Sequence, residues 1–98
     1  MTMKRRNRYE LTLSQIEIAE EDTAPEQLKL FVENHDEIFA IIQKLKEKNI
    51  FGDQQQAAEF GIGIKLFSEV MIRNRDHLLF EDFLPAFRLF ITRLKKYE

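Results

Sequence analysis

Hydrophobic and polar residues alternate in two short stretches of the first third of the chain. The apolar positions are Tyr9, Leu11 and Leu13 in the first stretch and Leu28, Leu30 and Val32 in the second. This two-residue period is typical of strands with one buried face. The turn-prone acidic connector 20–25 lies between them, and its Pro25 suits the entry to an edge strand. The pattern therefore predicts an antiparallel β-hairpin with Phe31 on its polar face.

The end of the first strand and the edges of the hairpin raise two further expectations. After Leu13 the alternation shifts by one position, because the next apolar residues are Ile16 and Ile18. One extra residue near Ser14 and Gln15 would return their side chains to the apolar face of the strand, which predicts a β-bulge. A two-stranded ribbon is marginally stable in water. We therefore expect helices on its apolar face, or pairing of its edges with a second chain to complete a larger sheet.

The apolar period then becomes that of a helix. Asn34 precedes Glu37 by three positions, which is the spacing of a reciprocal capping pair, so a first helix is predicted to begin there. Its apolar stripe consists of Ile38, Ile41, Ile42 and Leu45. We expect it to end at Asn49, because asparagine tolerates the left-handed backbone conformation that often follows a helix.

A second helix is predicted from the cap residue Asp53 to about Arg73. Apolar residues lie on more than one of its faces, so we expect it to be central in the domain. Gly61 and Gly63 lie inside it, and each costs a helix about 1 kcal/mol relative to alanine. Both glycines therefore predict close approach by another part of the chain.

A third helix is predicted from the region of Phe80–Asp82 to Lys95–Lys96, with Pro85 in its first turn. Its apolar stripe consists of Phe80, Phe83, Leu84, Phe87, Ile91 and Leu94. Leu89 and Phe90 make the apolar arc wider than one contact surface requires. Phe90 and the polar-face residue Phe31 are therefore the candidate interface residues. The predicted fold class is α+β, in the order β-β-α-α-α.

Length and composition limit the classes of protein to which this chain can belong. A chain of 98 residues can close one core, which predicts a single domain spanning 1–98. The formal net charge of −2 argues against a global preference for nucleic acid, and no apolar run is long enough to span a bilayer. The absence of cysteine excludes disulfides and fits a reducing compartment, so we expect a cytoplasmic location.

Catalytic and metal-binding patterns are absent from the sequence. The two histidines, His35 and His77, have no metal-ligand spacing. Gly61-Ile62-Gly63 lacks the third glycine of a nucleotide loop and lies inside a predicted helix. No nucleophile elbow, phosphate loop or catalytic triad spacing is found. We therefore expect a non-enzymatic protein with no cofactor and no metal.

Two polar clusters remain as candidate binding sites. The basic N-terminal cluster, beside Tyr9, is suited to phosphates and consists of Lys4, Arg5, Arg6 and Arg8. We favour the alternative of a frayed, soluble N-terminus, because one short basic run on an acidic protein gives little net field. The second cluster joins two predicted helices, and its candidate residues are Arg73, Asn74, Arg75 and His77. Its guanidinium groups are suited to a small anionic ligand. In the structural interpretation, which we favour, the arginines bond the last carbonyls of the second helix and pair with Glu69 or Asp76.

Several segments resemble a family of small bacterial proteins that carry a domain of unknown function. They are residues 34–39, residues 64–71, Asn74-Arg75, Phe80 and Pro85-Ala86-Phe87. The resemblance covers nearly the whole chain and implies a bacterial, cytoplasmic α+β protein. It implies no activity, ligand or catalytic residue.

The sequence therefore favours a non-enzymatic interaction domain that associates with itself or with another protein. The alternatives are a nucleic-acid accessory protein that uses the basic N-terminus and a protein that binds a small anion at Arg73–His77.

Overall fold

The hairpin is present, with strands β1 (Asn7–Ser14) and β2 (Gln27–Asn34) paired antiparallel. The computed structural model describes residues 6–19 and 23–97. The register brings the apolar residues together on one face, in the pairs Tyr9–Val32, Leu11–Leu30 and Leu13–Leu28. Phe31 lies on the other face, opposite Glu10, as predicted.

The predicted β-bulge at Ser14 and Gln15 is wrong. The backbone N–H of Gln15 donates to the carbonyl of Glu26 (2.9 Å), which continues the regular register by one pair. The second backbone bond of this pair, from the Glu26 N–H to the Gln15 carbonyl, is not made, because the Glu26 N–H donates to the Gln15 side-chain oxygen instead (2.7 Å). The ladder ends here, and Ile16 beyond it is 95% exposed.

Helix α1 spans Ile38–Lys48, and its cap differs from the prediction. The cap residue is Glu37, whose carboxylate accepts from the backbone N–H of Phe39 (3.0 Å). Asn34 is still paired in β2, and its side-chain oxygen accepts from the N–H of Asp36 (2.9 Å) instead. The predicted end is confirmed, because Asn49 has a left-handed conformation with φ of 50°.

Helix α2 spans Gln54–Arg73 and begins at the predicted cap, where Asp53 accepts from the backbone N–H of Gln55 (2.9 Å). Its packing against α1 forms a buried core of Ile38, Ile42, Leu45, Ala57 and Met71. A Cβ atom added to Gly61 would lie 3.0 Å from Ile42 Cγ1, so the predicted close approach is confirmed there. At Gly63 the prediction is wrong, because an added Cβ would meet no atom within 4 Å.

The last predicted helix is divided into a short α3 (Leu78–Glu81) and a longer α4 (Phe83–Lys96). The division follows from Pro85, which has no N–H to donate to the carbonyl of Glu81, four residues earlier. The aromatic ring of Phe67 on α2 lies 6.2 Å from that of Phe80 and 5.8 Å from that of Phe83. Helix α2 thus contacts α1 and also the two C-terminal helices, so it is central among the helices of residues 37–98.

The fold class is α+β, as predicted: an antiparallel hairpin followed by helices. The contacts divide the chain into two compact units, residues 1–36 with the hairpin and residues 37–98 with the helices. Among the described residues, no helix has the length and apolar character needed to cross a membrane.

Candidate functional site

The hairpin exposes apolar side chains in an arrangement suited to binding another protein. Leu13 is 70% exposed, and Leu28 and Leu30 are about half-exposed. All three lie on the same face, and the register makes Leu13 and Leu28 direct neighbours across the two strands. We call this set of residues, together with Phe31 on the opposite face, the hairpin surface. Such clustering marks an interaction surface more often than scattered apolar residues do.

The polar face of the hairpin carries charges of both signs around Phe31. The Lys29 ammonium lies 3.5 Å from the Glu10 carboxylate, and the Arg8 guanidinium lies 3.9 Å from the Glu33 carboxylate. All four side chains are at least half exposed, so water screens both pairs. Phe31 is 72% exposed between them.

The basic N-terminal cluster is only partly described. Lys4 and Arg5 lie outside the described residues. The guanidinium of Arg6 lies 3.9 Å from the Glu33 carboxylate, which also contacts Arg8. This shared carboxylate reduces the positive potential that the two arginines offer to a phosphate. Nucleic-acid binding by this cluster stays a prediction.

The Arg73–His77 cluster contains residues whose side chains bond the backbone at helix ends. Arg73 Nε donates to the carbonyl of Glu69 (3.3 Å), and the Asn74 amide donates to the carbonyl of Val70 (2.8 Å). These bonds agree with the structural interpretation of Arg73, and Asn74 ends α2 as predicted. They leave fewer donors for an anionic ligand.

The second half of this cluster differs from the expectation. The cap residue of α3 is His77 and not Asp76, because His77 Nδ1 accepts from the backbone N–H of Leu79 (3.0 Å). Arg75 is exposed and makes no side-chain hydrogen bond or salt bridge with any described residue. Three of the four candidate residues, Arg73, Asn74 and His77, thus make side-chain hydrogen bonds to the backbone at helix ends. Binding of a small anion here stays a prediction.

An aromatic groove between α2 and α4 was missed by the sequence analysis. It has a volume of about 480 Å³ and an almost entirely apolar lining. The lining residues are Phe60, Gly63, Ile64, Phe67, Phe83, Ala86, Phe87 and Phe90. Phe90, a predicted interface residue, is partly exposed here and lies 6.1 Å from Phe60, ring centre to ring centre. The lack of a side chain at Gly63 helps to open the groove, and an open glycine is not distinguishable from a packed one by sequence.

Lys48 is a second residue that the sequence analysis did not single out for this contact. Its ammonium lies at the C-terminal end of α4, where it donates to three backbone carbonyls. The acceptors are Leu94 (3.2 Å), Lys95 (3.3 Å) and Tyr97 (2.9 Å). A cation at the negative end of the helix dipole stabilises that helix end. This contact links the ends of α1 and α4 and has a structural role.

Metal ligands do not cluster in the part of the chain that the structure describes. No group of three or more histidine, aspartate or glutamate side chains there could hold a metal ion. The carboxylates of the hairpin are instead close to basic side chains.

Comparisons with known proteins agree with the resemblance noted in the sequence. No curated protein matches the chain. A crystal structure of a protein of unknown function from Pectobacterium atrosepticum matches with a TM-score of 0.81 and 34% sequence identity, over 94% of this chain and 99% of that chain. The model of a domain-of-unknown-function family with a solved structure, DUF3861, matches residues 7–96. The chain therefore belongs to the DUF3861 family.

Proposed function

We propose that this protein is a non-enzymatic interaction domain that self-associates through its hairpin surface. One observation carries the proposal: the described hairpin is a two-stranded sheet with an open edge on each strand and exposed leucines on its apolar face. An open edge presents unpaired backbone N–H and C=O groups, which a further strand can bond. An isolated ribbon of this kind gains stability when its edge and its apolar face are covered.

A second copy of the chain is the occupant that the proposal names. Both faces of the hairpin support this choice. The apolar face offers Leu13 and Leu28, and the polar face offers Phe31 surrounded by charges of both signs. A surface with both signs of charge can be complementary to itself in a two-fold dimer, since each copy supplies both partners of an ion pair. The proposal retains the predicted cytoplasmic location.

The proposal is tested by light scattering on the purified protein across a range of concentrations. We expect the mass to approach twice the 11.8 kDa of the single chain as the concentration rises. A mass that stays at 11.8 kDa up to high micromolar concentration would refute self-association.

Two phenylalanines of nearly equal exposure provide a matched pair of variants. Phe31 in the hairpin is 72% exposed, and Phe39 in α1 is 69% exposed. Phe31→Ala removes a large apolar side chain from both copies of the proposed interface and should raise the dissociation constant by roughly tenfold or more. Phe39→Ala should leave it unchanged. Equal effects of the two variants would mean that the hairpin is not the interface.

A further inference from the structure

The backbone of β2 presents one particular set of residues to its open edge. The bond from the Gln15 N–H to the Glu26 carbonyl shows that this pair is of the hydrogen-bonded type. Antiparallel pairs alternate between bonded and non-bonded types along the ladder. The pairs that contain Lys29, Phe31 and Glu33 are therefore of the non-bonded type. The backbone N–H and C=O groups of these three residues point away from β1, toward the open edge.

The same three residues form a self-complementary sequence. If two copies of β2 run antiparallel with Phe31 opposite Phe31, Lys29 of each copy lies opposite Glu33 of the other. Opposite charges in directly facing positions stabilise a strand pair. The outward backbone groups of these residues then meet in bonded pairs, each of which exchanges two hydrogen bonds. The exposed Phe31 side chains face one another between the two ion pairs.

Other symmetric pairings of the hairpin edges lack such ion pairs or pair fewer residues. A two-fold pairing keeps the apolar face continuous only if residues of the same face lie opposite one another. Centring β2 on Leu30 leaves Lys29 opposite Phe31. On β1, centring on Glu10 places two carboxylates opposite each other, which is destabilising. Centring on Leu11 places Glu10 opposite Thr12 and makes no ion pair. Centring on Tyr9 places Arg8 opposite Glu10, but it pairs only residues 7–11 of β1, whereas the register centred on Phe31 pairs residues 28–34 of β2.

We propose that two copies of this chain pair antiparallel through β2 in the register centred on Phe31. The product is a four-stranded sheet in the order β1-β2-β2-β1. This inference rests on the proposed function and specifies its edge and register. The Lys29 and Glu33 side chains are about half-exposed within one chain, so each can take a further partner while keeping its contact with Glu10 or Arg8.

Disulfide trapping tests the register directly, because the natural chain contains no cysteine. In the proposed register the Cα atoms of the two Phe31 residues are about 5.5 Å apart, which a disulfide can span. The two Lys29 residues are about 13 Å apart along the strands, which a disulfide cannot span. Lys29 of one copy lies directly opposite Glu33 of the other.

Four single-cysteine variants are compared under mild oxidation: Phe31→Cys, Lys29→Cys, Glu33→Cys and, as a control on β1, Thr12→Cys. We expect Phe31→Cys to form a covalent dimer at least roughly tenfold faster than Thr12→Cys, because the proposed pairing raises the local thiol concentration. Lys29→Cys and Glu33→Cys should each form no covalent dimer alone and should form a disulfide with each other when mixed.

The outcomes separate this inference from the proposed function. A protein that is dimeric by light scattering but links fastest through Lys29→Cys alone or through Thr12→Cys would overturn the register and leave self-association intact. A monomeric protein in which no variant links would overturn both. A covalent Phe31→Cys dimer together with the mixed Lys29–Glu33 link would support both.

Discussion

Replacing each of the two helical glycines by alanine is expected to change stability in opposite directions. Gly61→Ala should lower the free energy of unfolding, and Gly63→Ala should raise it. The two residues lie two positions apart in the middle of α2, so their intrinsic helix propensities are the same. The difference comes from what the new methyl group meets.

At Gly63 the methyl group enters open space, because no heavy atom lies within 4 Å of an added Cβ apart from the adjacent residues and the local backbone of α2. Alanine is favoured over glycine in a helix interior by about 1 kcal/mol, since glycine loses more backbone entropy on folding. Gly63→Ala should therefore raise the free energy of unfolding by up to about 1 kcal/mol. For a domain of this size that gain corresponds to a rise in Tm of roughly 4–8 °C.

At Gly61 the same gain is opposed by overpacking. The added Cβ would lie 3.0 Å from Ile42 Cγ1 and 3.1 Å from Leu45 Cδ1, whereas carbon atoms pack best at about 3.5–4.0 Å. Ile42 is 9% exposed and Leu45 is 4% exposed, so neither can move freely into solvent. Overpacking costs about 1–3 kcal/mol, which outweighs the propensity gain. Gly61→Ala should therefore lower the free energy of unfolding by about 1 kcal/mol, so that the two variants differ in stability by about 2 kcal/mol.

Urea denaturation followed by far-ultraviolet circular dichroism measures both changes. The shift of the midpoint at constant m-value gives the change in the free energy of unfolding. The series should be repeated at two protein concentrations, because self-association adds stability that depends on concentration. Gly52→Ala is a useful third variant, since Gly52 has φ of 70° and alanine is strained there whatever the space around it.

The reasoning would be refuted if Gly61→Ala were as stable as Gly63→Ala or more so. That result would mean that α1 does not pack closely on α2 at Gly61. Destabilisation by Gly63→Ala would instead mean that the aromatic groove is closed at that position.

Three further predictions concern helix ends and use the same urea assay. Lys48→Met removes the ammonium that bonds three carbonyls at the end of α4 and should lower the free energy of unfolding by about 1 kcal/mol. Lys46→Met should lower it by less. Equal losses of stability in the two variants would contradict the role of Lys48. Asp53→Ala removes the α2 cap and should cost about 1 kcal/mol, and Asp53→Asn should recover most of it. Asn49 has φ of 50°, a backbone conformation that alanine adopts less readily than asparagine or glycine. Asn49→Ala should therefore lower the free energy of unfolding by about 1 kcal/mol, whereas Asn49→Gly should not.

Features that depend on neighbouring residues in the chain were predictable from sequence. The hairpin follows from a two-residue period, and the start of α2 follows from Asp53, whose carboxylate satisfies an N–H two residues away. The end of α1 follows from the tolerance of Asn49 for a left-handed backbone. Strand periodicity and the two helix ends depend on forces that act within a few residues.

Two of the errors occurred where two local arrangements compete for the same group. Asn34 has a good spacing to cap a helix, but β2 extends to that residue and its side chain bonds the N–H of Asp36. Gln15 was expected in a bulge, but its side chain accepts the N–H that would have continued the ladder. In both cases a side-chain oxygen had more than one backbone donor within reach, and pattern alone could not choose between them.

The candidate site was only partly predictable. Phe31 was placed correctly on the polar face, because strand alternation determines which side a residue takes. Arg73 and His77 were candidates for ligand binding, and the structure has each bonded to the backbone at a helix end. The aromatic groove could not be foreseen, since it depends on how α4 lies against α2.

The sequence by itself determined the α+β class, the order of the elements and most of their ends, because these depend on periodicity and on bonds between close neighbours in the chain. Only the tertiary structure decided that Gly61 is packed while Gly63 is open, that Lys48 reaches the end of α4, and that the hairpin leaves its leucines exposed. These outcomes depend on distances between residues far apart in the chain. Packing in three dimensions determines such distances, and a one-dimensional pattern does not contain them.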